Sequence, residues 1–237
     1  MIRSKALLGL AVLLATCFIS SPATADVLNG TIFLGNAALA GFPTPFATAV
    51  INRTDTTHAT ITYTGLTQTS GGNTYQYYFG GDDAIGFNIN ATNYSIAFAF
   101  GGTCSPFPPP GCGSLGNGSP WNGGGAGFGS DLNIGVNVFD GYTQTYSQIV
   151  LSVTNNTGTW ATATDVRLLN DAGFWAGAHI FVCQQSVTNA NCTNAEGGAA
   201  ATGFAVGAVQ GVPEPGTLAL LGSGLLLLGT LGRRFKK

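Results

Sequence analysis

The sequence predicts an all-β protein: an antiparallel β-sandwich body, jelly-roll or Ig-like, flanked by an N-terminal signal peptide and a C-terminal transmembrane helix. Three observations carry that expectation. The middle of the chain consists of short runs in which apolar and polar residues alternate, separated by turn residues. Gly, Thr, Asn, Ser and Ala stand there in place of Lys and Glu, which removes the best surface helix formers and leaves strand-compatible residues. Apolar runs at the two ends carry their basic residues on the outside. The chain therefore divides into residues 1–25, 26–211 and 212–237.

The first segment has the three parts of a secretion signal. Arg3 and Lys5 make a basic start, residues 6–19 are apolar, and Ala23-Thr24-Ala25 is a small-residue cleavage site. Signal peptidase would act after Ala25 and leave Asp26 as the mature N-terminus. Cys17 raises the alternative of a lipoprotein, but Thr16 before it suits that cleavage poorly and the apolar run continues through Phe18 and Ile19.

Within the body, Ala59, Ile61 and Tyr63 alternate with threonines. Tyr94, Ile96, Phe98 and Phe100 share one face, as do Leu132, Ile134, Val136 and Val138. Further strands are expected over 31–34, 48–52, 75–79, 85–90, 145–154, 166–169, 178–183 and 204–209. Asp140-Gly141 and Asn155-Asn156-Thr157-Gly158 read as turns. Roughly ten short strands in one exported chain suggest two packed antiparallel sheets. Residues 101–130, rich in Gly, Pro, Ser and Asn, read as one long surface loop or as a link between half-domains.

Once Cys17 is removed, Cys104, Cys112, Cys183 and Cys192 remain, an even number in an exported chain. Sequence proximity favours Cys104 with Cys112 and Cys183 with Cys192, although four cysteines permit three pairings. Closing a loop of about nine residues contributes on the order of 2–3 kcal/mol. Their spacings do not fit a zinc site, and no metal or cofactor is expected.

Charge narrows the function classes. Between residues 26 and 211 there are nine acidic residues against Arg53 and Arg167, a net charge of −7, and no lysine at all. A polyphosphate partner needs cationic side chains to replace its counterions, so nucleic-acid binding is not expected. Only His58 and His179 exist as histidines, neither within a catalytic or zinc motif, and no G-x-S-x-G occurs. No catalytic residue is therefore assigned. Asp82-Asp83, Asp131 and Asp140 could offer oxygens to calcium, yet none matches a D-x-D-x-D-G loop and turn formation is the plainer reading. Trp121, Trp160, Trp175 and the cluster Tyr75, Tyr77, Tyr78 could stack on sugars or fill a core. The seven Asn-x-Ser/Thr triplets reflect abundant Asn and Thr.

The last segment has three parts in a fixed order. Val212-Pro213-Glu214-Pro215 comes first; its two prolines hold the backbone extended and withhold two amide donors. An apolar, Leu-rich run over 216–232 follows, marginally long enough to span a bilayer. Arg233, Arg234, Lys236 and Lys237 end the chain and should stay cytoplasmic, which leaves the body across the inner membrane. A GPI signal would lack the terminal charges, and a plain membrane anchor would not need the proline motif. This triplet resembles the PEP-CTERM sorting signal of Gram-negative bacteria, over residues 212–237 only. The resemblance implies recognition by a membrane-embedded exosortase, transient residence in the inner membrane, removal of the tail, and delivery to the cell surface or an exopolysaccharide matrix. The stretch from Phe174 to Cys183, with its aromatic, His and Cys residues, is weakly similar to strands of other PEP-CTERM proteins. The expected function is thus a non-enzymatic structural or adhesive surface protein linked to exopolysaccharide and biofilm. A carbohydrate-binding module and a secreted hydrolase are the alternatives.

Overall fold

Three alternating segments at the front of the body form an antiparallel meander: β1 (Asp26–Gly35), β2 (Ala47–Arg53) and β3 (His58–Gly65). The computed structural model describes residues 26–99, 104–105, 114–117, 120–139, 145–185 and 199–209. Alternation is strict in the buried rows of β2 and β3. Ala47, Ala49 and Ile51 of β2 and Ala59, Ile61 and Tyr63 of β3 are buried, while the threonines between them are half-exposed. Register places Ile51 opposite Ile61 and Ala49 opposite Tyr63, so the buried rows merge into one apolar face.

The chain continues through β4 (Thr67–Ser70), β5 (Asn73–Gly80), β6 (Ile85–Phe87), β7 (Tyr94–Ala99), β8 (Cys104–Ser105), β9 (Ser114–Asn117), β10 (Ile134–Phe139), β11 (Thr145–Tyr146), β12 (Gln148–Asn155), the one-turn helix α1 (Ala163–Val166), β13 (Ala176–Gln185) and β14 (Ala201–Val209). All strand pairings are antiparallel. The main order is β7-β12-β3-β2-β1-β14-β13-β5-β11-β8. The strands form one hydrogen-bonded sheet, where the sequence suggested two.

That sheet curls back on itself, for an identifiable reason. β11 and β12 are one run of chain, interrupted only at Ser147. Its front end pairs with β5 and its remainder with β3. Strands far apart in the order, β5 and β3, thereby become neighbours, and the Leu66 carbonyl accepts from the Tyr77 amide at 2.9 Å. The curl gives the buried face something to pack against, which is what two separate sheets would have done.

Inside the curl lie Ile149, Leu151 and Val153 of β12, Ile61 and Tyr63 of β3, Phe79 of β5 and Ile180 and Val182 of β13, all essentially without solvent exposure. The inward row of β14 and its neighbours is small: Gly203, Ala205 and Gly207 with Gly30 of β1. The space is taken by large side chains, since a Cβ at Gly30 would lie 2.8 Å from the Trp175 ring. Tyr63, Phe79, Phe46 and Tyr77 meet edge-to-face. Two polar ends inside are matched, while the buried Trp175 indole N–H has no partner among the described residues. Tyr63 donates to the Gly86 carbonyl at 2.7 Å and the Trp160 indole to the Asn90 carbonyl at 2.8 Å.

Three departures from the sequence reading have physical causes. Residues 166–169 are not a strand: Thr162 caps α1 with a reciprocal Thr162–Asp165 capping box, and only Arg167 makes an isolated bridge, to Ile89. Residues 101–130 are not loop throughout, because β8 and β9 lie there and residues 120–130 pack on the sheet. β4 escapes the pattern because T-Q-T-S has no apolar row. The predicted C-terminal helix lies outside the described residues; among those described, no helix is long and apolar enough to cross a membrane.

Replacing Tyr63 with Phe leaves the Gly86 carbonyl without its buried donor. The expected loss is about 1–3 kcal/mol of unfolding free energy, read by urea denaturation with an unchanged slope.

Candidate functional site

The outward face of β13 carries a dense set of aromatic and titratable side chains, His179 among them, that the sequence singled out. Even-numbered residues of β13 point into the core, so Gly177, His179, Phe181 and Cys183 face the other way. Phe204 and Val206 of β14 extend that face.

Trp121 covers one end of it. Gly86 of β6 and Gly177 of β13 are direct register partners, and together they present bare backbone. The indole lies on that platform so closely that a Cβ at Gly86 would be 2.2 Å from Trp121 Cγ, and one at Gly177 2.4 Å from Trp121 Cη2. Its N–H donates to the Asp83 carbonyl at 2.8 Å. Reciprocal backbone hydrogen bonds with Leu132, both 2.9 Å, fix the segment that carries it. Gly124 takes a left-handed φ of 63°, and its missing side chain leaves room for the Phe204 ring.

From Trp121 the aromatic contacts continue. Trp121 meets Phe204 edge-to-face at 6.0 Å, Phe204 stacks on His179 at 4.3 Å, and His179 leans on Phe181 at 4.7 Å. His179 is 8% exposed, and its Nδ1 lies 3.3 Å from the Asp82 carbonyl. Burial lowers the imidazole pKa below its ordinary value, opposed by the carbonyl and charge of Asp82. The ring is thus a neutral packing element, held between two phenyl rings.

Asp82 and Asp83 occupy the tight turn between β5 and β6. Asp83 adopts a left-handed φ of 56°, and its amide donates to Asn137 Oδ1 at 2.9 Å. Burial raises its carboxyl pKa, and the charges of Asp82 and Asp131 raise it further. Three carboxylates near one another attract cations, yet no group of three His, Cys, Asp or Glu among the described residues could hold a metal ion. Asp140 lies outside the described residues.

His58 sits elsewhere, at the β2–β3 hairpin. Its Nδ1 is 2.9 Å from Asp55 Oδ2, both side chains being 54% exposed. The Asp55 carboxylate also accepts the Thr57 and His58 amides at 2.7 and 2.8 Å. Those bonds, the Thr57 amide first and the His58 ring next, hold its carboxyl well below the usual range. The arrangement builds a turn.

The three tryptophans are core residues. Trp121, Trp160 and Trp175 are at most 2% exposed, so none offers a face to a sugar ring. Tyr77 and Tyr78 are buried as well, and half-buried Tyr75 packs edge-to-face on Phe42. Of the other sequence-assigned residues, Asp26 opens β1, pairs in register with Arg53 and accepts a hydrogen bond from the Ala163 amide. Cys183 is buried beside Tyr78 and Phe181. Cys104 lies in β8. Ala23, Ala25, Cys112, Cys192, Val212, Pro213, Glu214, Pro215, Arg233, Arg234, Lys236 and Lys237 fall outside the described residues.

The Trp121 platform was missed from sequence. Its signal was present in Gly86 and Gly177, single glycines inside otherwise apolar strand runs, which mark close approach by another group.

Two outcomes follow from this geometry. Gly177→Ala should cost about 1–3 kcal/mol by overpacking against Trp121, with a matching change in near-ultraviolet circular dichroism. Because burial depresses the folded-state pKa of His179, the unfolded chain takes up that proton first as pH falls. Its contribution is full above about pH 6.5 and is lost below it. His179→Gln should flatten the fall in stability that begins below about pH 6.5 while leaving the carboxylate-driven loss below about pH 4 in place.

Comparison with known proteins adds one match. No curated protein and no solved structure matches the chain. Residues 211–237 match the family model described as the PEP-CTERM protein-sorting motif, which implies an exported protein processed by an exosortase and sorted at the membrane to the surface. The chain is therefore a carrier of a C-terminal PEP-CTERM sorting motif.

Proposed function

We propose that this chain is a surface or extracellular-matrix protein of a Gram-negative bacterium, with a structural or adhesive, non-enzymatic role linked to exopolysaccharide and biofilm. The observation that carries this reading is the sorting motif at residues 211–237. In this reading signal peptidase cuts after Ala25. Residues 216–232 cross the inner membrane with Arg233, Arg234, Lys236 and Lys237 on the cytoplasmic side, and the exosortase reads Val212-Pro213-Glu214-Pro215 on the far side. Cys183 with Cys192 and Cys104 with Cys112 are the pairings favoured by sequence proximity.

Support for a non-enzymatic body comes from the surroundings of its two histidines. His58 is tied into a hairpin turn with Asp55, and His179 is clamped between Phe204 and Phe181. Burial of all three tryptophans weighs against a sugar-stacking platform.

Replacing Pro213, Glu214 and Pro215 together with Ala, followed by fractionation, tests the sorting step. Accumulation of an unprocessed inner-membrane form is the expected outcome. Unchanged delivery of a shortened protein to the surface would contradict it.

A further inference from the structure

We propose that β7 is a self-pairing edge, through which two copies of this chain join antiparallel, β7 to β7, into one continuous sheet. β7 ends the main strand order and, among the described residues, is hydrogen-bonded on one side only, to β12. A free edge presents a row of unpaired amides and carbonyls, and proteins ordinarily blunt such edges with lysine, proline, a bulge or shortness. β7 has none of these. It reads Y-S-I-A-F-A, and its register with β12 runs without a shift through six pairs, from Tyr94 opposite Asn155 to Ala99 opposite Val150. The body has no lysine to place there.

The side chains point the same way. Leu151, Val153 and Asn155 of β12 are at most 5% exposed, whereas Phe98, Ile96 and Tyr94, their register partners on β7, are only half-buried although they pack on the same core. That apolar row stops short of being covered, and one more strand would cover it. Among the described residues the remaining sheet edges differ: β4 is an exposed, polar T-Q-T-S, β8 has two residues, and β9 is a four-residue S-L-G-N.

Charge identifies the occupant as a second copy. The body carries −7, so two copies repel over most of their surfaces. β7 and β12 contain no charged residue. This is where two such bodies approach with least repulsion, while a strongly acidic or basic partner finds no counter-charge. A two-fold axis normal to the sheet keeps the half-covered rows of both copies on one side and sets Ala97 close to its own image. Ala97 is small and exposed, so the strands can close to pairing distance.

The pairing is independent of the sorting reading and is testable on the exported protein. Sedimentation should show a reversible dimer. Ala97→Lys and Ala97→Asp should each weaken it by at least about tenfold, about 1.4 kcal/mol, because either charge meets its own image. Thr69→Lys, the same charge on the exposed β4 edge, should not. Near-ultraviolet circular dichroism of the buried tryptophans reports whether each variant is folded. In the unaltered protein, amide exchange over residues 94–99 should slow as concentration rises while that of 67–70 stays constant. A monomer at all concentrations, exchange in β7 independent of concentration, or a dimer indifferent to both Ala97 variants would overturn the proposal. So would a dimer strengthened by one sign of charge.

Discussion

The hydrogen bond from the Gly65 amide to the Ser147 carbonyl, 2.8 Å long, sits where one strand exchanges partners. Before Ser147 the chain pairs with β5, and after it with β3. The rest of the architecture depends on that exchange. Without it the strands would form an open sheet with one apolar face toward water. With it, Leu151, Ile61, Phe79 and Ile180 share a single interior. The approach is so close that Gly65 has no substitute, since a Cβ there would lie 2.0 Å from the Tyr77 carbonyl oxygen.

The same compositional bias explains the strands, the close packing and the open edge. A body nearly without Lys and Glu has few residues that favour surface helices, and strands fill the chain. Glycines stand at points of closest approach, where Trp121 rests on Gly86 and Gly177 and Trp175 on Gly30. The absence of lysine also removes the ordinary means of guarding a strand edge, and β7 is left as neutral as its neighbour.

Much of this was legible in the residues, and the misses have a common origin. Alternating or apolar runs placed β2, β3, β5, β7, β10, β12, β13 and β14, because each packs at least one apolar row against the core. Where both faces are polar, as in β4, or where a strand is too short to alternate, as in β8, the pattern carries no signal. A single curled sheet and two packed sheets bury the same rows, so alternation cannot choose between them; pairing of residues 145–155 with two partners decides it. At the site, sequence marked Trp121 and His179 as chemically interesting. What it could not give was their neighbours: two facing glycines beneath the indole, and two phenyl rings about the imidazole.

In the proposed reading, sorting is carried by the ends of the chain and stability by its middle. Intact-mass measurement of the protein recovered from the cell surface tests this division most directly. A species that begins at Asp26 and lacks the residues beyond Pro215 is the predicted result. A surface protein that retains Lys236 and Lys237, or a full-length chain found only in the cytosol, would contradict it.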